Sequence, residues 1–114
     1  GEGVAQSNEE AARLYGLAAK LGDAWAQFNL AGMYYKGEGV AQGNEEAARL
    51  YGLAAKQGDA WAQFNLAGMY YKGEGVAQSH EEAARLFGLA AEQGDAWAQF
   101  NLAGMYYKGE GVAQ

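Results

Sequence analysis

The sequence contains no cysteine and no proline, a single histidine, and only 8 lysine and arginine residues in 114. Without cysteine there are no disulfides, thiolate nucleophiles or zinc-thiolate sites. Without proline the chain is punctuated by its 18 glycines alone, so its breaks are predicted to be helix C-caps and turns that need φ > 0. Basic residues are outnumbered by 14 acidic ones, giving a net charge of −6. That balance argues against nucleic acid or an anionic membrane as partner, because both select for clusters of Lys and Arg. No signal peptide and no run of membrane-spanning length is visible, so membrane insertion is not expected. The chain opens on GEGVAQ, in mid-register of a motif that recurs, and a targeting segment upstream is compatible with it. Compartment is left open, with an extracellular site following only if the protein is a bacterial filament.

What is present is a repeat. Sliding the sequence against itself gives copies at 1–36, 37–72 and 73–108, then a partial fourth, GEGVAQ, at 109–114, and we read 1–114 as one domain. The first two copies differ only at Ser7 against Gly43 and Leu21 against Gln57. The second and third differ at four positions, Gly43/Ser79, Asn44/His80, Tyr51/Phe87 and Lys56/Glu92.

Within a copy, Ser7-Asn8-Glu9-Glu10 reads as a capping box, in which Ser7 accepts from the Glu10 amide and the Glu10 side chain reaches back. A first helix is predicted to run to Lys20 and to stop at a left-handed Gly22. Asp23 then caps a second helix, ended by Gly37. The spacing predicts helices at 8–20, 24–36, 44–56, 60–72, 80–92 and 96–108. On the first helix, Ala11, Leu14, Ala18 and Leu21 share a face, flanked by Tyr15 and Leu17, and Glu9 is placed to pair with Arg13 across one turn. In the second copy Gly43 replaces the capping serine, so Asn44 or the glycine backbone is expected to take over. In the second helix Leu30, Leu66 and Leu102 are predicted core residues.

The spaced residues Ala11, Ala18-Ala19, Gly22, Ala26-Gln27, Leu30, Met33-Tyr34, Gly37 and Gly39-Val40 recur in all three copies. This pattern resembles the Sel-one-like repeat, a relative of the tetratricopeptide repeat. The resemblance implies an all-α, right-handed α-solenoid of three 36-residue helix-turn-helix repeats that acts as an adaptor or scaffold, with no catalytic residues to carry over. The physics agrees, since one helix pair cannot bury its own apolar face without a neighbour. The sequence departs from the family pattern where Trp25, Gly32 and Tyr35 stand at positions that are ordinarily plain and exposed. The family's glycine also sits one place earlier, where this chain has Ala31.

Few residues suggest chemistry. His80 stands where its sister copies carry Asn8 and Asn44 and has no repeated metal partner, so a surface role is expected. The pairs Glu9-Glu10, Glu45-Glu46 and Glu81-Glu82 are accounted for by capping rather than acid–base catalysis. Gly37-Glu38-Gly39-Val40 lacks the third glycine, the lysine and the strand of a phosphate loop and reads as a turn anchored by Val40. Asn29, Asn65 and Asn101 form a ladder in the middle of the second helices, where we expect a bond to the loop in preference to a peptide-gripping role. No catalytic, metal or cofactor-binding residue is assigned, and an enzyme is not expected.

The second helix carries two apolar stripes, one of Ala26, Leu30, Met33 and Tyr34, the other of Trp25, Phe28, Gly32 and Tyr35. Its sisters are Trp61, Phe64, Gly68 and Tyr71, then Trp97, Phe100, Gly104 and Tyr107. A helix apolar nearly all round is normally buried nearly all round. Mid-helix glycine costs about 1 kcal/mol against alanine, so six of them demand close packing somewhere. The second stripe either meets the next repeat of the same chain or forms a protein-interaction surface. Neither end of the array carries a polar cap. The expected partner is a protein: copies of this chain, joined into a filament or extended array, or otherwise a partner protein or peptide on the concave face of the first helices.

Overall fold

In a computed structural model, residues 7–113 can be described; residues 1–6 and Gln114 lie outside them, and with them the start of the first copy and the last residue of the partial fourth. Six helices follow one another: α1 (Asn8–Lys20), α2 (Ala24–Lys36), α3 (Asn44–Lys56), α4 (Ala60–Lys72), α5 (His80–Glu92) and α6 (Ala96–Lys108). Their bounds are those predicted from the sequence, and no strand occurs among the described residues.

Local chemistry sets the bounds. Asp23, Asp59 and Asp95 each accept the amide of the residue three positions on, at 2.8 Å, and so start α2, α4 and α6. At the end of α1, Gly22 takes φ 95°. The amides of Gly22 and Asp23 then close on the carbonyls of Ala19 and Ala18, a glycine-terminated double cap. Gly39 has φ 74° and a second constraint, because a Cβ there would run into the backbone carbonyl of Asn8. The loop after α2 is thereby laid across the N-terminus of α1, with Val40 packed against the core.

The helix pairs stack into a rod of 55 × 26 × 23 Å. The second helices α2 and α4 each pack against their own first helix and against the first helix of the following copy, and α6 packs against α5. Alanine makes the close approach possible: Ala31, Ala47, Ala54, Ala62, Ala67, Ala83 and Ala90 are all 0% exposed. Leu30 and Leu66 are buried as predicted, whereas Leu102, in the last helix, is only partly buried against the core.

Three local readings are corrected and one open alternative is decided. The Glu10 carboxylate does not reach back to the cap but is held by Arg13, Nε to Oε1 at 3.1 Å, so the pair is Glu10–Arg13 and not Glu9–Arg13. Glu46–Arg49 and Glu82–Arg85 repeat it. Leu21, assigned to the apolar face, is 88% exposed, because its helix has ended and the residue is itself the C-cap. Of the two caps expected for α3, the glycine backbone holds the position: no side chain bonds there, and the Asn44 amide oxygen accepts from Gln42 Nε2 at 2.7 Å. Asn29, Asn65 and Asn101 donate not to the loop but to the carbonyls of Trp25, Trp61 and Trp97, one turn back on the same helix.

Candidate interaction surface

The second stripe is divided between two roles. Phe28 meets Tyr51 of the next copy edge to face, with centroids 5.7 Å apart, and Phe64 meets Phe87 in the same way at 5.6 Å. These contacts belong to the junctions between copies. The tyrosines reach further: Tyr35 donates its hydroxyl to Glu74 Oε1 at 2.9 Å and Tyr71 to Glu110 Oε1 at 2.7 Å. The carboxylate acceptor favours the neutral phenol, and both tyrosines are held above the usual phenol range, with burial a secondary cause. Tyr51 is raised as well, chiefly by its burial.

The tryptophans stay outside. Trp25 and Trp61 are each 57% exposed and Trp97 72%. Trp25 stacks on Phe28 at 5.9 Å and touches Trp61 at 6.1 Å, so two copies share one aromatic ridge. The stripe glycines find little close packing within the chain. A Cβ at Gly32 would come no nearer than 3.6 Å to the Tyr51 hydroxyl, and at Gly68 or Gly104 it would meet nothing within 4 Å. At Gly68 and Gly104 the packing that was expected to offset their cost is thus absent among the described residues, and Gly32 has only an ordinary contact. Above Gly68 and Gly104 lies an apolar hollow of about 510 Å³ between α4 and α6, lined among others by Phe64, Phe87 and Phe100. Between α2 and α4 the matching hollow is about 110 Å³, with Tyr51 in its lining where the other has Phe87.

The opposite side of the rod carries two nearly equal grooves, about 780 Å³ between α1 and α3 and 790 Å³ between α3 and α5. Their floors contain Leu30 or Leu66 with Gly16 or Gly52, and the Glu–Arg pairs stand in their walls. Arg49 and Arg85 hold the Glu46 and Glu82 carboxyls below the ordinary glutamate range.

A glutamine ladder was not predicted from the sequence, where Gln27 stands only as one of the residues that recur in every copy. Gln27 and Gln63 are each 4% exposed. Each donates to the end of its own first helix, Ala19 O at 3.1 Å and Ala55 O at 3.2 Å. Gln57 Nε2 then bridges Gln27 Oε1 and the Gly22 carbonyl, both at 2.9 Å. Gln93 Nε2 does the same for Gln63 Oε1 at 3.0 Å and the Gly58 carbonyl at 2.9 Å. The recurrence of glutamines 30 residues apart was the available signal.

His80 stacks on Tyr71 with centroids 4.6 Å apart. Among the described residues no group of three His, Cys, Asp or Glu side chains is placed to hold a metal ion, and no helix is long and apolar enough to cross a membrane.

An all-α repeat solenoid of this kind defines a class, and the family follows from comparison. The chain belongs to the Sel1 repeat family, whose model matches residues 1–23, 26–59, 62–95 and 98–114. The two longest matched units, 26–59 and 62–95, start in a second helix and run through the following first helix, so they straddle the junctions. Among solved structures, a protective antigen present in uropathogenic Escherichia coli strains, displaying an SLR fold, superposes with a TM-score of 0.94 at 38% identity over 97% of this chain. A Sel1 repeat protein from Oxalobacter formigenes gives 0.94 at 36% identity, again over 97%. This chain spans 24% of the first protein and 46% of the second. Helicobacter pylori cysteine rich protein B, at 23% identity and TM-score 0.80, covers 85% of this chain and 73% of its own and shares the fold. No curated protein matches the sequence. Sel1 repeats are generally protein–protein interaction modules and typically non-catalytic.

Proposed function

We propose that this chain is a non-enzymatic structural repeat protein that self-associates into a filament or extended solenoid array. One observation carries the reading. Trp25 and Trp61 are each 57% exposed and Trp97 72%, and Trp25 touches both Phe28 and Trp61, so the same aromatic ridge stands out on successive copies. A regularly repeated apolar face suits a partner with the same repeat, and a contact between copies that does not close on itself propagates as a filament. The ridge of Trp25, Trp61 and Trp97, with the shallow floor at Gly68 and Gly104, supplies a lateral contact between arrays. Exposed apolar patches of more than a few hundred Å² are rare on monomers, and aromatic residues anchor interfaces.

Sedimentation of the protein beside the triple variant Trp25→Glu, Trp61→Glu, Trp97→Glu tests this. Assembly of the parent that grows with concentration, and weakens in the triple variant, is expected. A parent that stays monomeric at high concentration overturns self-association. Equal assembly of both removes the tryptophans from the interface and overturns the ridge as the contact.

A second reading, an adaptor that binds a partner protein or peptide, is favoured by the two equivalent grooves of α1, α3 and α5. Their near-identical linings suit a partner that is itself repetitive.

A further inference from the structure

On the basis of the self-association reading, we propose that two rods of this protein pair antiparallel, the tryptophan of each second helix seating over the stripe glycine of a second helix in the other rod. Along α4, Trp61, Asn65, Gly68 and Lys72 follow one another at helical spacing on one outer face. Trp61 is 57% exposed, and a Cβ at Gly68 would meet nothing within 4 Å. The face therefore carries a knob and, two turns on, about 10 Å along the axis, a gap. Phe64 and Phe87 wall the gap with aromatic rings suited to an indole. At Gly32 the nearest atom is the Tyr51 hydroxyl at 3.6 Å, an ordinary contact that leaves this glycine open as well. Glycine in mid-helix is disfavoured against alanine, and the close approach of a second chain is what offsets it.

A knob and a gap on one face fit their own copy across a two-fold axis. When a second α4 runs in the opposite direction, Trp61 of each helix lies over Gly68 of the other, and Asn65 falls near the axis. In a parallel pair at most one of the two tryptophans finds a glycine. Charge selects the same direction. The N-terminal end of each second helix carries the capping Asp23, Asp59 or Asp95, and the C-terminal end carries Lys36, Lys72 or Lys108. The Asp59 cap uses one carboxylate oxygen. The Lys72 side chain is 61% exposed and stands outside Glu74, whose carboxylate accepts from Tyr35. Antiparallel pairing sets each lysine beside an aspartate of the other rod, whereas parallel pairing sets lysine beside lysine. The same row recurs in every copy, so a shift by whole copies keeps each contact and extends the pair into a two-rod filament, whatever the number of repeats. A long face of the 55 × 26 × 23 Å rod exceeds the ~800 Å² per partner of a stable interface.

Sedimentation equilibrium of the parent and three triple variants tests the pairing, with helical circular dichroism to verify each fold. Trp25→Ala, Trp61→Ala, Trp97→Ala removes the knobs. Gly32→Gln, Gly68→Gln, Gly104→Gln fills the gaps with a residue that helices accept, and Lys36→Gln, Lys72→Gln, Lys108→Gln removes the cations. The knob and gap variants are each expected to associate roughly tenfold or more weakly than the parent. An equimolar mixture of the two is expected to associate more tightly than either alone, because the tryptophans of one then meet the open glycines of the other. The lysine variant is expected to lose affinity, by a larger factor at low salt than at high salt. If the parent assembles and the gap variant assembles equally well, or if mixing restores nothing, tryptophan does not seat on glycine; the pairing is overturned while the self-association reading stands. Tighter association of the lysine variant overturns the antiparallel direction. A parent that stays monomeric overturns both the pairing and the reading beneath it.

Discussion

Leu14 and Leu50 are the same residue in successive copies of the same helix, preceded and followed by the same amino acids, yet one is half exposed and the other 2% exposed. Phe64 and Phe100 form a similar pair at the other end, the first held against Phe87 and the second 72% exposed. The difference teaches that a repeat of this kind owns its helices but not its burial. Caps, turns and the fit of loop on helix are made within each copy. The apolar free energy is realised only where two copies meet, so the middle of the rod and its ends are chemically alike and energetically distinct.

The largest test of that contrast is large-to-small truncation. Leu50→Ala is expected to cost about 2 to 5 kcal/mol and Leu66→Ala a similar amount, whereas Leu14→Ala costs under about 1 kcal/mol. Leu102, only partly buried, falls between. Denaturant titration of the four variants measures this; equal losses at Leu14 and Leu50 mean that the end face is covered in solution, and a loss under about half a kcal/mol at Leu66 means that α4 is rotated from its described setting.

Next in size is the glutamine ladder. Gln63→Ala strips a buried side chain that serves both α3 and the third copy and is expected to cost about 1 to 3 kcal/mol, while Gln99→Ala, outside any junction, costs well under about 1 kcal/mol. Parallel thermal melts check it, and an equal fall in Tm for the two variants removes the ladder from the junction.

The stripe glycines sharpen the comparison from the outer side. Gly68→Ala places its methyl in open space within a helix and is expected to stabilise the monomer by about 0.5 to 1 kcal/mol. If the floor at Gly68 and Gly104 is where arrays meet, the same change weakens assembly. Gains in both stability and assembly argue that no backbone or side chain approaches there.

The smallest effects are local to one copy. Gly43 sits at φ −160°, extended backbone that serine adopts freely, and its Cβ would make only an ordinary contact with Tyr34 at 3.9 Å. Gly43→Ser is therefore expected to raise stability by a few tenths of a kcal/mol, read as a small rise in the denaturant midpoint. The Glu46–Arg49 and Glu82–Arg85 pairs contribute at a similar scale, discounted for their exposure to water. Because both carboxyls are held below the ordinary glutamate range, their contribution is complete above that range and fades as pH falls through the depressed folded values. Replacing both glutamates by glutamine should flatten the acid limb of the stability profile in that window, and an unchanged limb refutes the assignment.

The helices and their ends were legible in the sequence because their causes are local. Asp23 bonds three residues ahead, Gly22 and Gly37 adopt the left-handed backbone that ends a helix, and the spacing of Leu30, Leu66 and Leu102 marks one face. The errors arose where a side chain had two partners within reach. Glu10 chose Arg13 over the amide at the cap, Asn29 chose the carbonyl one turn back over the loop, and Leu21 lay past the last turn of a helix wheel that still counted it as apolar. No periodicity distinguishes such alternatives, because their difference is set by rotamers.

By itself, then, the sequence determined the fold class, the helix bounds and the repeat frame, since each depends on contacts a few residues apart or on a period that can be counted. Only the tertiary structure decided how the aromatic stripe is shared. It placed Phe28 and Tyr35 in the junction and Trp25 on the ridge, and it brought Gln57 onto Gln27 across 30 residues of chain. The physical reason is the pitch of the stack. Which side of a helix faces the next copy depends on the angle at which alanine-lined helices settle together, and that angle is a property of the packed pair.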